Sequence, residues 1–188
     1  MKSCKPFFGL KTLIVGDVNS GKTAYTRLLL LECRGKGSIH VLDMAPETYK
    51  GVGGKMAVPN DPHIHYVTTL IRPPRLMGKD EKEARDIAVE NAERIERDLF
   101  SKAESIATDA LIINDVSLYL QMGSLKRLRQ ILEKFPTVIM NGYVGVSFPK
   151  GPLTEREQKN MNRLMKICHQ VIEAEGWSDQ QQTKRKKP

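Results

Sequence analysis

The chain has 188 residues, 40% of them hydrophobic, and a formal charge of +8. That length suits one ordinary domain, and the apolar share suffices for a core, which excludes a wholly disordered polymer. Its longest apolar runs are four or five residues, as at 28–31, far short of the roughly 20 that cross a bilayer.

The start MKSCKPFFGL is broken by Pro6 and Gly9, so no secretory signal is expected. Cys4, Cys33 and Cys168 are odd in number and scattered. They exclude a disulfide framework or a zinc cluster and fit a reducing, cytoplasmic setting. Four of the positive charges lie in the terminal TKRKKP, while residues 79–104 carry six bases against nine acids. The remaining body is therefore basic and suits an anionic partner: nucleotide, nucleic acid or acidic lipid.

In chain order, KTLIV at 11–15 reads as a fully buried strand ending at Gly16. Residues 20–32 read as a helix stopped by Gly35 and Gly37. SIHVLD at 38–43 is a second strand, and the Gly- and Pro-rich 45–61 a loop. Residues 63–69 suggest a short strand that puts His63 and His65 on one face, a core-edge pair rather than a metal site. Pro73 and Pro74 argue against a helix over 71–78.

Residues 80–107 give the longest helical pattern, with Ala84, Ala88, Ala92, Ile95, Leu99, Ala103 and Ile106 along one side. DALIIND at 109–115 is a third buried strand; Ser124 caps a helix, and TVIMN at 137–141 is a fourth buried strand. Thr154 and Glu157 have the spacing of a capping box, and QVIEA at 170–174 reads as a last strand. Strands alternating with helices imply a three-layer α/β domain over 1–176, with a mainly parallel sheet of five or six strands. Residues 177–188 read as a basic, disordered tail. Ligands of such sheets sit at the carboxyl ends of the strands, where Asp43, Asp115 and Asn141 fall.

Residues 16–23 read GDVNSGKT. This matches G-x-x-x-x-G-K-[ST] between a strand and a helix, and it resembles the Walker A loop of the P-loop NTPase superfamily. Gly16 and Gly21 permit a tight loop near phosphate. Asp17, Val18, Asn19, Ser20 and Ala24 complete the segment, whose N–H groups from Asn19 to Ala24 would face the ligand at the positive end of a helix dipole. Asp17, an acid in an anion-binding loop, is expected to point outward.

The resemblance implies that Lys22 meets the β- and γ-phosphates of ATP or GTP and that Thr23 holds Mg²⁺. Asp115, ending LIIND, looks like the Walker B aspartate of the metal shell. Val116 follows it, in place of the water-activating glutamate of many ATP-driven motors. The layout is closest to the RecA-type branch, in which one strand lies between the two Walker strands and ends in a polar γ-phosphate sensor, here Asn141. No N-K-x-D or D-x-x-G element of signalling GTPases is present.

Residues 137–149 with the charged helix and QVIEA are also similar in architecture to the adenosylcobinamide kinases, although the N-E-V-G-like segment is here NGYVG and lacks the glutamate. Asp43 is placed either to bind or deprotonate an acceptor hydroxyl, as an acid there often does in small-molecule kinases, or to cap a helix or turn. KGVGGK at 50–55 is a candidate closing loop, and Arg72 and Arg75 are either phosphate clamps or solvated and paired with the acidic helix that follows. The expected function is Mg-dependent nucleotide hydrolysis or phosphoryl transfer to a small molecule. The alternatives are a nucleic-acid-associated switch ATPase and a non-catalytic nucleotide sensor.

Overall fold

The structure is a computed structural model that describes residues 5–174. Six strands, β1 (Lys11–Gly16), β2 (Ile39–Asp43), β3 (Ile64–Thr68), β4 (Ala110–Asn114), β5 (Thr137–Tyr143) and β6 (Gln170–Glu173), form one sheet. Their order is β3-β2-β4-β5-β1-β6, and every pairing is parallel. The helices are α1 (Lys22–Cys33), α2 (Pro74–Met77), α3 (Glu81–Arg94), α4 (Ser101–Ser105), α5 (Val116–Leu120), α6 (Leu125–Leu132) and α7 (Pro152–Ile167).

Side chains alternate along a strand, so each central strand feeds two cores. Leu13, Val15, Leu111, Ile113, Val138 and Met140 face a core shared with α3, α5, α6 and α7. Ile14, Val41, Ile112 and Ile139 face a second core with Leu29 and Leu30 of α1. The result is the expected three-layer α/β architecture, with six strands and no antiparallel pair among them. The expectation for 177–188 concerns residues outside those described. No helix among the described residues is long and apolar enough to cross a membrane.

Four local expectations need correction. Pro74 opens α2 instead of blocking it; the first helical position needs no N–H and favours proline's fixed φ. The long helix over 80–107 is interrupted: α3 passes into a π-helical turn, Ile95–Phe100, before α4. The extra residue per turn lets both Leu99 and Phe100 reach the core, while Ile106 stays exposed.

Thr154 and Glu157 form no capping box, because Pro152 starts α7 two residues earlier. Both side chains turn to Arg75 instead. The short helix α5, buried along its whole length, has no counterpart in the sequence reading, since five uniformly buried residues carry no helical period. Cys168 is a free thiol, pushed up to about 11 by burial. Cys33 is disulfide-bonded, which a scattered, odd cysteine count does not foretell.

His40 lies fully buried on β2, with neither ring nitrogen hydrogen-bonded among the described residues, and its ring centre is 5.8 Å from that of His65. Burial, helped by His65, holds its pKa below the usual 6.5. The unfolded chain therefore takes up this proton first as pH falls, so stability present above pH 6.5 is lost below it, by up to about 1.4 kcal/mol per pH unit. Urea unfolding from pH 7.5 to 5 should show that decline, and His40→Leu should flatten it. Parallel curves for the two proteins would exclude His40 as the source.

Candidate functional site

The carboxyl ends of all six strands lie along one edge of the sheet, and residues 16–23 leave that edge between β1 and α1. Asn19 (φ 58°) and Gly21 (φ 88°) adopt left-handed backbone there. Asparagine tolerates that region and glycine enters it freely. Gly21 then caps α1, and having no side chain it offers none to the first N–H groups of the helix.

Gly16 is needed for a different reason. A Cβ there would collide with the Ser20 hydroxyl and stand 2.9 Å from the Ala174 carbonyl. Gly16→Ala should cost about 1–3 kcal/mol of unfolding free energy, the ordinary cost of overpacking. An unchanged denaturant midpoint would show that the segment yields freely.

Lys22 folds back over the loop: its Nζ donates to the Asp17 carbonyl at 2.5 Å and to Ser20 Oγ at 3.3 Å. Burial lowers its pKa, against the pull of Asp115 and Asp17. The Asp17 carboxylate accepts from the Val18 N–H at 2.6 Å and from the Val146 N–H at 3.0 Å. It bonds Ser147 as well and is held below the usual carboxylate range. Asp17 thus anchors the β5–α7 connection, where Gly145 leaves no room for a Cβ beside that carboxylate.

A cleft of about 430 Å³ opens beside the loop. Val18, Asn19, Ser20, Gly21, Lys22, Thr23, Ala24, Asp115 and Asn141 all line it. Thr23 Oγ1 donates to Asn114 Oδ1 at 3.2 Å, so its hydroxyl meets Asn114, the neighbour of Asp115. Asp115 itself has left-handed backbone (φ 59°) at the start of α5 and accepts from the Ser117 hydroxyl at 2.5 Å. Burial raises its pKa, opposed by Ser117, Lys22 and Arg75.

Asn141 is fully engaged: it donates to Thr26 Oγ1 and Asn114 Oδ1, each at 2.9 Å, and accepts from the Asp115 N–H at 2.9 Å. Asn114 in turn donates to Asp43 at 2.8 Å. These amides lock the ends of β2, β4 and β5 to the first turns of α1.

Asp43 is not brought into the cleft. It is wholly buried, and four donors fill its carboxylate: the Ala45 and Met56 N–H groups, Asn114 Nδ2 and the Tyr66 hydroxyl. It stands as the anchor of the 44–56 loop. From that loop Gly53, Gly54 and Lys55 reach the cleft, while the Lys50 ammonium sits 5.4 Å from the centre of the Tyr49 ring.

The two arginines separate. Arg72 pairs with exposed Glu90, whereas Arg75 lines the cleft and pairs with buried Glu157 at 2.5 Å. The sequence reading passes over Gln121, Tyr143 and Phe148, which line the cleft too.

The arrangement gathers main-chain donors, Lys22, Lys55 and Arg75, the Ser20 and Thr23 hydroxyls and the Asp115 carboxylate around a cleft of about 430 Å³. A scan against protein-family models finds no match to the chain, and a comparison with curated protein sequences finds none either.

Proposed function

We propose that the chain is a P-loop protein that binds a nucleoside triphosphate with Mg²⁺ and hydrolyses it or passes its terminal phosphoryl to a small molecule. One observation carries this reading: the G-x-x-x-x-G-K-T segment takes left-handed turns at Asn19 and Gly21, opens a helix without a side-chain cap and lines a cleft with its lysine inside. Such a helix start supplies N–H donors and a positive dipole end for phosphate. The order of the strands supports the RecA-type branch, because β5 lies between β1 and β4.

The donor set fits Mg²⁺. Among the described residues no three acids, histidines or cysteines form a metal cluster. Mg²⁺ in such sites takes only one or two protein ligands and completes its shell with phosphate and water. Thr23 Oγ1 and the Asp115 oxygen not held by Ser117 would supply them, and the ion would neutralise phosphate charge. Lys22, displaced from the Asp17 carbonyl, would meet the terminal phosphates.

In the reaction an oxygen of water or of an acceptor hydroxyl bonds to the terminal phosphorus as the bridge to the β-phosphate breaks. The diphosphate leaves with the electron pair, and the proton passes to solvent. Calorimetric titration with ATP and with GTP in Mg²⁺ should saturate at about one nucleotide per chain. No heat with either nucleotide ends this reading.

A further inference from the structure

The cleft extends past the glycine-lysine loop to a second wall built by α2, α5 and the β5–α7 connection. Gln121 belongs to it and is wholly buried. Its Nε2 donates to Glu157 Oε2 at 3.1 Å, but its Oε1 has no hydrogen-bond partner among the described residues. A buried carbonyl without a donor is costly to keep, so it calls for a ligand N–H or O–H.

Arg75 stands in the same wall, its guanidinium 4.1 Å from the centre of the Phe148 ring and 5.5 Å from that of Tyr143. Bonds to Glu157 at 2.5 Å and Thr154 Oγ1 at 3.3 Å fix its plane. Burial pushes Glu157 up to about 7, against the pull of Arg75. Lys55 lines the same cleft, its Nζ resting on the carbonyls of Asp43 at 3.4 Å and Thr69 at 3.2 Å. Pro46, Val52, Pro74 and Leu118 add apolar lining.

Two cations disfavour a second metal ion here, and an unpaired buried carbonyl disfavours a purely apolar occupant. A few polar groups converging in an apolar cavity are the mark of a small-molecule site. We propose that this wall is a binding subsite for a small hydroxylated anion: Gln121 Oε1 accepts from its hydroxyl, and Arg75 and Lys55 face its carboxylate or phosphate. The proposal deepens the nucleotide reading by naming the chemistry of the molecule that shares the cleft.

The test uses the smallest probes of each kind: glycerate, glycerol 3-phosphate and glycerol. Each is titrated by calorimetry into the full chain saturated with Mg²⁺ and a non-hydrolysable ATP analogue. The heat of the analogue is recorded first, so a failure of the nucleotide reading shows there and not in the probe steps. At least one anionic probe should bind about tenfold or more tighter than glycerol, and the stronger of the two tells carboxylate from phosphate.

The double variant Arg75→Met/Glu157→Gln, which leaves no buried charge unpaired, should bring anionic probes down to glycerol. Arg75→Lys keeps the charge without the planar fork and should lose severalfold; it serves as the arm where the double variant does not fold. Equal binding of all three probes, or wild-type affinity in whichever folded Arg75 variant is measured, overturns the proposal.

Discussion

Lys22→Ala is expected to weaken Mg-nucleotide binding by about a hundredfold or more, read with a fluorescent ATP or GTP analogue. That factor corresponds to about 2.7 kcal/mol, the size of a charge-assisted contact to phosphate made in a partly enclosed site. The folded state should lose little, because the ammonium's contacts without ligand are one main-chain carbonyl and one hydroxyl of its own loop. A variant that keeps its melting temperature while losing the ligand assigns the lysine to binding. Affinity within threefold of wild type would mean that residues 16–23 hold no phosphate, and the proposed function would fall with them.

Asp43→Ala should act in the opposite sense, on the fold more than on the site. The substitution strands three buried donors, from Ala45, Met56 and Asn114, and removes the acceptor of the Tyr66 hydroxyl, which sits on a residue 37% exposed. Burying unpaired donors costs about 1–3 kcal/mol each, with some relief from relaxation, so a loss of about 4 kcal/mol in urea unfolding is expected. A chain of this size has only about 5–15 kcal/mol to lose. Were the carboxylate instead a proton acceptor for an incoming hydroxyl, the substitution would leave unfolding nearly unchanged and stop turnover. The two measurements together decide between those roles.

The contrast between Lys22 and Asp43 shows what sequence can and cannot carry. All six strands were legible: β1, β2, β4 and β5 as short apolar runs bounded by Gly, Pro or acids, the mark of strands buried on both faces, and the part-exposed edge strands β3 and β6 as short β-rich runs. The loop was legible too, since its demands are local: glycines where the backbone turns left or has no room, and a lysine at fixed spacing.

Which role Asp43 takes was not, because a strand-end acid looks the same whether it faces a ligand, caps the turn at Ala45 or gathers donors from Met56, Tyr66 and Asn114. Arg72 and Arg75 stand three residues apart with equal claims in the sequence; only the turn of α2 sends one to Glu90 and the other into the cleft. Asn114 bonds Thr23, Asp43 and Asn141, a linking role that its place beside Asp115 in the sequence does not announce. Nothing in the spacing of LIIND tells which of two adjacent side chains turns toward α1.

The tether at Asp17 has a consequence for how the two ends of the cleft communicate. Its carboxylate holds Val146 and Ser147, which directly precede Phe148, whose ring supports Arg75. Any ligand that repositions Asp17 therefore pulls on the seat of the guanidinium, and any ligand that orders the guanidinium pulls back through the same strap. Thermodynamic reciprocity requires the two effects to be equal. On the proposed reading, a molecule seated against Phe148 would alter the grip on polyphosphate by the same factor as polyphosphate alters its own.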